Sequence, residues 1–200
     1  MNDRSIRIVA TGVANTASVA AAFRRAGFTP TLTADPDEVA RAARVVLPGV
    51  GAFGTAMERL RSTGLADAIR ERFAADRPLL AICLGLQLLA RQSAESPAVA
   101  GMGALGADVI RFGRGVRVPQ LGWNRVTPAA GARLLEPGHA FFANSYHLDQ
   151  VPPGTIGAMS EHGGPFVAAV ERGSFLGCQF HPELSGDWGE ALIARWGARC

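Results

Sequence analysis

The stretch Pro78-Leu79-Leu80-Ala81-Ile82-Cys83-Leu84-Gly85-Leu86-Gln87-Leu88-Leu89 decides the fold. Its first part, Pro78 to Ile82, is a short apolar run of the kind that forms a strand buried on both faces, and the part from Leu84 to Arg91 has helical composition. A strand passing directly into a helix is the joint of an α/β sheet, and Cys83 stands on that joint.

The same grammar repeats outward from it. Ser5 to Ala10 alternates like a strand, and Ser18 to Ala26 is alanine-rich and ends in Arg24 and Arg25, so it reads as a helix. Arg44 to Leu47 is a second β-branched run, closed by the glycine loop Pro48 to Gly54, with helical composition over Thr55 to Arg61 and Leu65 to Phe73. Repeated strand, glycine loop and helix predict a mostly parallel central sheet covered on both faces. Beyond residue 104 the text changes to shorter strands and turns: Asp108 to Phe112, Arg117 to Val126, Ala140 to Phe142 and Phe175 to Phe180, with a closing helix over Trp188 to Trp196. That part is expected to add antiparallel strands. Two hundred residues suffice for one α/β domain with a full core and are too few for two ordinary ones, so 1–200 is read as a single domain.

Composition excludes several functions. Hydrophobic residues make up 48%, yet no apolar run approaches the roughly 20 residues of a membrane span. The opening Met1-Asn2-Asp3-Arg4 does not read as a signal peptide, and a soluble cytoplasmic protein with no membrane association is expected. Cys83, Cys178 and Cys200 form neither a Cys-x-x-Cys pair nor an even disulfide set, which argues against a zinc site; no metal and no cofactor is expected. All twenty basic residues are arginine. Without lysine there is neither a phosphate-loop lysine nor a Schiff base, and the arginines are too scattered for a nucleic-acid surface.

Cys83 has the setting a nucleophile needs. A helix N-terminus favours thiolate, a sharp strand-to-helix turn pushes sulfur out of the sheet, and the small neighbours Ala81 and Gly85 leave room for adjacent backbone. The turn also exposes the N–H of Leu84 as an oxyanion donor. A buried structural cysteine is the common alternative use of this residue type, but strand, small residue, Cys, x, Gly and helix coincide here. The base is sought in Gln179-Phe180-His181-Pro182-Glu183, where His181 and Glu183, two apart around a proline, can face the same side so that the carboxylate holds the ring. His139, His147 and His162 lie in Gly- or Tyr-containing segments read as loops, without a carboxylate at matching spacing. In Pro48-Gly49-Val50-Gly51 the glycines let backbone amides turn towards a ligand, as a second oxyanion donor or as a cradle for an amino-acid carboxylate; a plain tight connection remains the other reading.

Taken together these residues resemble the class I, triad-type glutamine amidotransferases, and more specifically the glutaminase subunits of imidazole glycerol phosphate synthase. The resemblance rests on Leu47 to Met57, the Cys83 elbow with Gln87, Val118-Pro119-Gln120-Leu121-Gly122-Trp123-Asn124, Asn144-Ser145-Tyr146 and Gln179 to Gly186, in that order along most of the chain. It implies a three-layer, flavodoxin-like amidotransferase fold. It also implies a reaction in which Cys83 attacks the side-chain amide of L-glutamine and His181, oriented by Glu183, handles the protons. Val50, Gly51 and Leu84 would bind the oxyanion, and Gly49, Gly51, Gln87, Ser145 and Tyr146 the glutamine. The partner implied is a (β/α)₈ cyclase that receives the ammonia and forms imidazole glycerol phosphate, in a heterodimer for histidine biosynthesis, with Asn15, Gln120, Trp123, Asn124 and Leu184 on the partner side.

The chain departs from the family pattern where Ala10 to Asn15 replace the usual Asp-Tyr-Gly and Gly-Asn. Gln120 and Asn144 stand where histidines are usual, and Leu184 where a lysine is usual. None is a triad residue. These departures bear on which synthase takes the ammonia. The alternatives weighed are a divergent relative serving another synthase, a catalytically silent regulatory subunit, and a cysteine hydrolase on a similar sheet, which leaves Gln87, Ser145-Tyr146 and Trp123-Asn124 without a purpose.

Overall fold

The computed structural model describes residues 4–11 and 15–199. In chain order the elements are β1 (Ser5–Val9), α1 (Thr16–Arg25), β2 (Thr29–Thr33), α2 (Pro36–Arg41), β3 (Val45–Gly49), α3 (Phe53–Ser62), α4 (Leu65–Ala74), β4 (Leu79–Cys83) and α5 (Leu84–Leu88). They continue with β5 (Val109–Arg111), β6 (Gln120–Pro128), β7 (Gly138–Asn144), β8 (Tyr146–Leu148), β9 (Ile156–Glu161), β10 (Pro165–Arg172), β11 (Phe175–Cys178), a 3₁₀ turn at Pro182–Leu184 and α6 (Gly186–Arg199).

Nine strands form one sheet in the order β2-β1-β3-β4-β11-β10-β9-β6-β7, and β5 pairs β8 in a separate ribbon. β2, β1, β3, β4 and β11 run parallel, whereas β10, β9, β6 and β7 extend the sheet antiparallel. The mixed α/β architecture with a largely parallel centre is therefore as the sequence predicts.

Period-two alternation in buried strands feeds two cores. Val45 and Leu47 of β3 and Leu79 and Ala81 of β4 pack towards Phe53, Met57, Leu60, Ile69 and Phe73 on α3 and α4. Their neighbours Val46, Leu80 and Ile82 face the other way, against Val19 and Phe23 of α1 and Leu192, Ile193 and Trp196 of α6. Burial on both faces explains why these strands read as continuous apolar runs.

Two buried charges tie the layers together. The guanidinium of Arg72, 2% exposed, donates to the carbonyls of Val39, Ala43 and Pro78, joining α4 to α2 and to the entries of β3 and β4. The carboxylate of Glu171 on β10 accepts the backbone N–H groups of Arg133, Leu134 and Leu135 at 2.6, 3.0 and 3.0 Å, which closes the loop between β6 and β7.

Several expectations need correction. The helix after Cys83 ends at Leu88 rather than running to Arg91. The segment that follows takes its carbonyls: Met102, Leu105 and Gly103 donate to Leu88, Leu89 and Ala90, so the helical ladder cannot continue. His139 lies in β7 and His147 in β8, not in loops. β2, α2, β8, β9 and β10 are absent from the sequence-based expectation. β2 is a threonine-rich edge strand containing Pro30. β9 and β10 carry the small residues Gly157, Ala158, Ala168 and Ala169, which give little strand signal. Among the described residues no helix is long and apolar enough to cross a membrane, and no cluster of His, Cys, Asp and Glu could hold a metal ion.

Candidate active site

The site forms where β3 and β4 end. Cys83, the last residue of β4 and the N-cap of α5, has φ +53° and ψ −112°, a conformation rare for a residue with a side chain. The surroundings impose it. α5 lies so close to β3 that a Cβ on Gly85 would stand 2.0 Å from the carbonyl oxygen of Leu47, and one on Gly49 would stand 2.8 Å from the nitrogen of Gly85. Only glycine allows this approach, and it turns Cys83 upward out of the sheet. No side chain caps the start of α5, so the first-turn amides beside Cys83, that of Leu84 included, have no acceptor within the helix.

His181 and Glu183 arrive from β11, the other neighbour of β4. The histidine backbone is pinned on both sides: its N–H donates to Phe141 at 2.9 Å and its carbonyl accepts from the Ser185 hydroxyl at 2.6 Å. Nδ1 of the ring lies 2.8 Å from Oε1 of Glu183, with side chains 8% and 4% exposed. Burial opposes a charged ring, but hydrogen bonding to Cys83 and Glu183 outweighs it and raises the His181 pKa to about 10. The imidazolium form is therefore the stable one beside the sulfur. The other oxygen of Glu183, Oε2, is buried and has no hydrogen-bond partner among the described residues. Cys178, by contrast, is fully buried within β11, and burial, followed by the nearby Glu183 carboxylate, pushes its thiol well up. It stays an inert thiol.

These residues border a cavity of about 390 Å³ lined by Val50, Gly51, Cys83, Leu84, Gln87, Glu95, Pro119, Ala143 to Tyr146 and His181, within the range of small-molecule sites. Cys83, His181 and the expected oxyanion and substrate residues thus meet in one place, except Gly49, which sits one residue back, under α5; Glu183 stands behind His181 and does not line the cavity. Gln87 is braced: its amide nitrogen donates to the Tyr146 carbonyl at 2.9 Å and to Oε1 of Gln179 at 3.0 Å.

Two residues here were not singled out from sequence. Gln179, wholly buried, passes the Gln87 contact on, its own amide lying 3.7 Å from Sγ of Cys83. Its place at the head of the His-Pro-Glu segment was the available signal. Glu95 lines the cavity while accepting the Phe53 N–H at 2.8 Å, at the N-terminus of α3. Nothing in its own segment marks it.

The residues expected on a partner face divide. Trp123 is 58% and Leu184 43% exposed, and Leu121 and Val50 are also exposed; Val50 lines the cavity, and Leu121 and Trp123 line an adjoining recess that shares Pro119 with it, forming an exposed apolar rim. Asn15 caps α1, accepting from the Ser18 N–H at 3.3 Å. Asn124 is spent within the protein, donating to the Glu161 carbonyl and accepting from the Arg125 N–H. Gln120 is buried. Of the divergent segment Ala10 to Asn15, Gly12, Val13 and Ala14 lie outside the described residues.

Chemically, a strained thiol at a helix start, a charged histidine held by a buried carboxylate and open backbone amides can perform acyl transfer through a covalent intermediate. Residues 8–197 match the family described as glutamine amidotransferase class-I. The chain is 43% identical over 196 residues to imidazole glycerol phosphate synthase subunit HisH of Symbiobacterium thermophilum, covering 96% of this chain and 92% of the relative. It is 43% identical over 194 residues to the subunit of the same name from Escherichia coli K12, covering 94% and 96%, and 40% identical over 198 residues to that of Moorella thermoacetica, covering 97% and 94%. Among solved structures, one described as glutamine amidotransferase superposes with TM-score 0.75 at 21% identity, covering 94% of this chain and 98% of that one. The structure of PurLQS from Thermotoga maritima gives 0.72 at 15% identity, covering 98% of this chain and 98% of that one. At these identities the two structures speak for the fold.

Proposed function

The chain belongs to the class-I glutamine amidotransferase family, and on that premise we propose that Cys83, His181 and Glu183 are the triad with which it hydrolyses L-glutamine to L-glutamate and ammonia. The enzyme is the glutamine-hydrolysing subunit of imidazole glycerol phosphate synthase in histidine biosynthesis, a reading supported by 40–43% identity to relatives named imidazole glycerol phosphate synthase subunit HisH. The observation that carries the triad is the 2.8 Å contact of His181 with Glu183 beside a cysteine held at φ +53°.

The Cys83 thiolate attacks the side-chain amide carbon of glutamine, and the carbonyl electrons move onto oxygen. The Leu84 N–H and the backbone at Val50 and Gly51 stabilise that oxyanion. His181 gives its proton to the amide nitrogen, the C–N bond breaks, and ammonia leaves a glutamyl thioester on sulfur. Water then attacks the thioester while His181 takes its proton. The second tetrahedral species expels the thiolate, glutamate departs, and the thiolate–imidazolium pair is restored. Glu183 keeps the ring in register and stabilises its charge.

The same cavity orients the substrate. Glu95 supplies the negative partner for the α-ammonium group, and Gln87, Ser145 and Tyr146 border the amino-acid end. Ammonia is handed to a (β/α)₈ cyclase docked on the apolar rim, where Leu121, Trp123 and Leu184 give the exposed surface such an interface buries. The whole of 1–200 works as one amidotransferase domain. A synthase other than the histidine-pathway cyclase is the second reading; what favours it is exposed, apolar Leu184 at the place where the family has a cation.

The test is glutamate release from glutamine by the complex with a histidine-pathway cyclase. Release that requires Cys83 and restores histidine synthesis in a strain lacking this subunit supports the reading. Release without complementation moves the protein to another synthase, and no release in any complex contradicts glutaminase function.

A further inference from the structure

Gln120 and Asn144 are direct partners in the antiparallel β6–β7 ladder, so their side chains leave the sheet on the same face, with Cβ atoms about 5 Å apart. They are 5% and 4% exposed, and the amide oxygen of each has no hydrogen-bond partner among the described residues. The nitrogen of Asn144 donates to the Tyr146 carbonyl at 3.0 Å, which fixes that amide and leaves its oxygen as the unengaged end. Buried acceptors are ordinarily matched by a donor, and two unmatched ones side by side call for a small molecule rich in N–H or O–H.

Their position says which. Asn144 lines the cavity that holds Cys83 and His181. Gln120 lines a second recess, of about 250 Å³, formed with Arg117, Leu121, Trp123 and His162 beside the exposed apolar rim. Pro119 borders both recesses, so the amide pair stands where one meets the other.

We propose that the oxygens of Asn144 and Gln120 form a transfer station for ammonia between the cavity where it is released and the face where its acceptor docks. This rests on the glutaminase reading and deepens it. Ammonia carries three N–H donors and matches two neighbouring acceptors. A neutral amide also has no acidic proton to give, so the ammonia it holds stays an unprotonated nucleophile, whereas an acid or an imidazolium in that place would convert it to ammonium.

The test uses the complete complex with its cyclase at saturating concentration and measures synthase product formed per glutamate released. Gln120→Met keeps the size of the side chain and removes the acceptor; Gln120→Leu repeats the change with a different shape. Replacing a buried unmatched acceptor by an apolar group is neutral or stabilising, so Tm is expected to hold or rise. The product-to-glutamate ratio is expected to fall about fivefold, equivalent to one hydrogen bond of about 1 kcal/mol, with free ammonia appearing in solution and synthesis from added ammonium salt unaffected. An unchanged ratio in both variants overturns the proposal and assigns the oxygens to water only. A wild-type complex that releases no glutamate overturns the proposal together with the reading beneath it, and is recognised separately because the ratio then has no denominator.

Discussion

A Cβ on Gly85 would stand 2.0 Å from the carbonyl oxygen of Leu47. This approach of α5 to β3 is what holds Cys83 at φ +53°. The clashing atom belongs to the backbone of a central strand, so it cannot swing aside. Gly85→Ala is therefore expected to cost about 1–3 kcal/mol of overpacking and to abolish glutamate release even in the fraction that folds. Urea denaturation alongside activity of the folded protein checks both. Near-wild-type activity would mean that the elbow tolerates displacement.

The contacts of His181 with Cys83 and, after it, with Glu183 set a pH dependence. Because the His181 pKa rises from its ordinary 6.5 to about 10 in the folded protein, its stabilising contribution is fully present below about pH 6.5. It is lost as pH climbs through 10. Glu183→Gln removes the carboxylate's share of that rise, so wild-type Tm is expected to fall between those limits and the variant's to fall less. Glutamate release should drop by about 10²–10⁴, the usual worth of a positioned acid–base group. Parallel Tm–pH curves for the two proteins decide the point.

Gln179 donates towards the sulfur of Cys83 at 3.7 Å and is itself held by Gln87. Gln179→Glu replaces that donor by a carboxylate that repels a thiolate. Alkylation of Cys83 by iodoacetamide at neutral pH is expected to slow about 10- to 100-fold, matching about 1.5–3 kcal/mol for a hydrogen bond to a charged group. Unaltered alkylation would mean that the amide does not act on the sulfur.

Glu171 serves the fold, remote from the chemistry. Its carboxylate satisfies the N–H groups of Arg133, Leu134 and Leu135, and Glu171→Ala leaves all three without that acceptor, those of Leu134 and Leu135 in buried surroundings. The expected cost is about 3 kcal/mol, with kcat of the folded enzyme unchanged. Chemical denaturation and steady-state kinetics on one preparation separate the two effects.

The parts legible in the sequence are those in which one short segment carries both structure and chemistry. Ala81 to Gly85 encode strand, turn and proposed nucleophile together, and His181-Pro182-Glu183 encode the proposed base and its orienting group at fixed spacing. What escaped depends on distant segments meeting. Glu95 reaches the cavity only because its loop caps α3, and Gln179 touches Cys83 because β11 lies beside β4. β2 is too polar and too near the edge, and β9 and β10 too rich in small residues, to announce themselves. Gln120 reads as a surface residue of a docking segment, yet it is buried, because the alternation of β6 turns Leu121 and Trp123 outward and Gln120 inward.

Covalent attack of Cys83 on glutamine would leave a glutamyl thioester on sulfur, and this is the step on which the proposed function stands. It is tested most directly by mixing the enzyme, in complex with a histidine-pathway cyclase, with glutamine, quenching in acid within a turnover, and locating any acyl group by peptide mass spectrometry. One glutamyl group on the Cys83 peptide, absent in Cys83→Ala and accumulating when the attack of water is slowed, is the predicted result. Glutamate released at the wild-type rate by Cys83→Ala, with no acyl group on any peptide, would contradict the account.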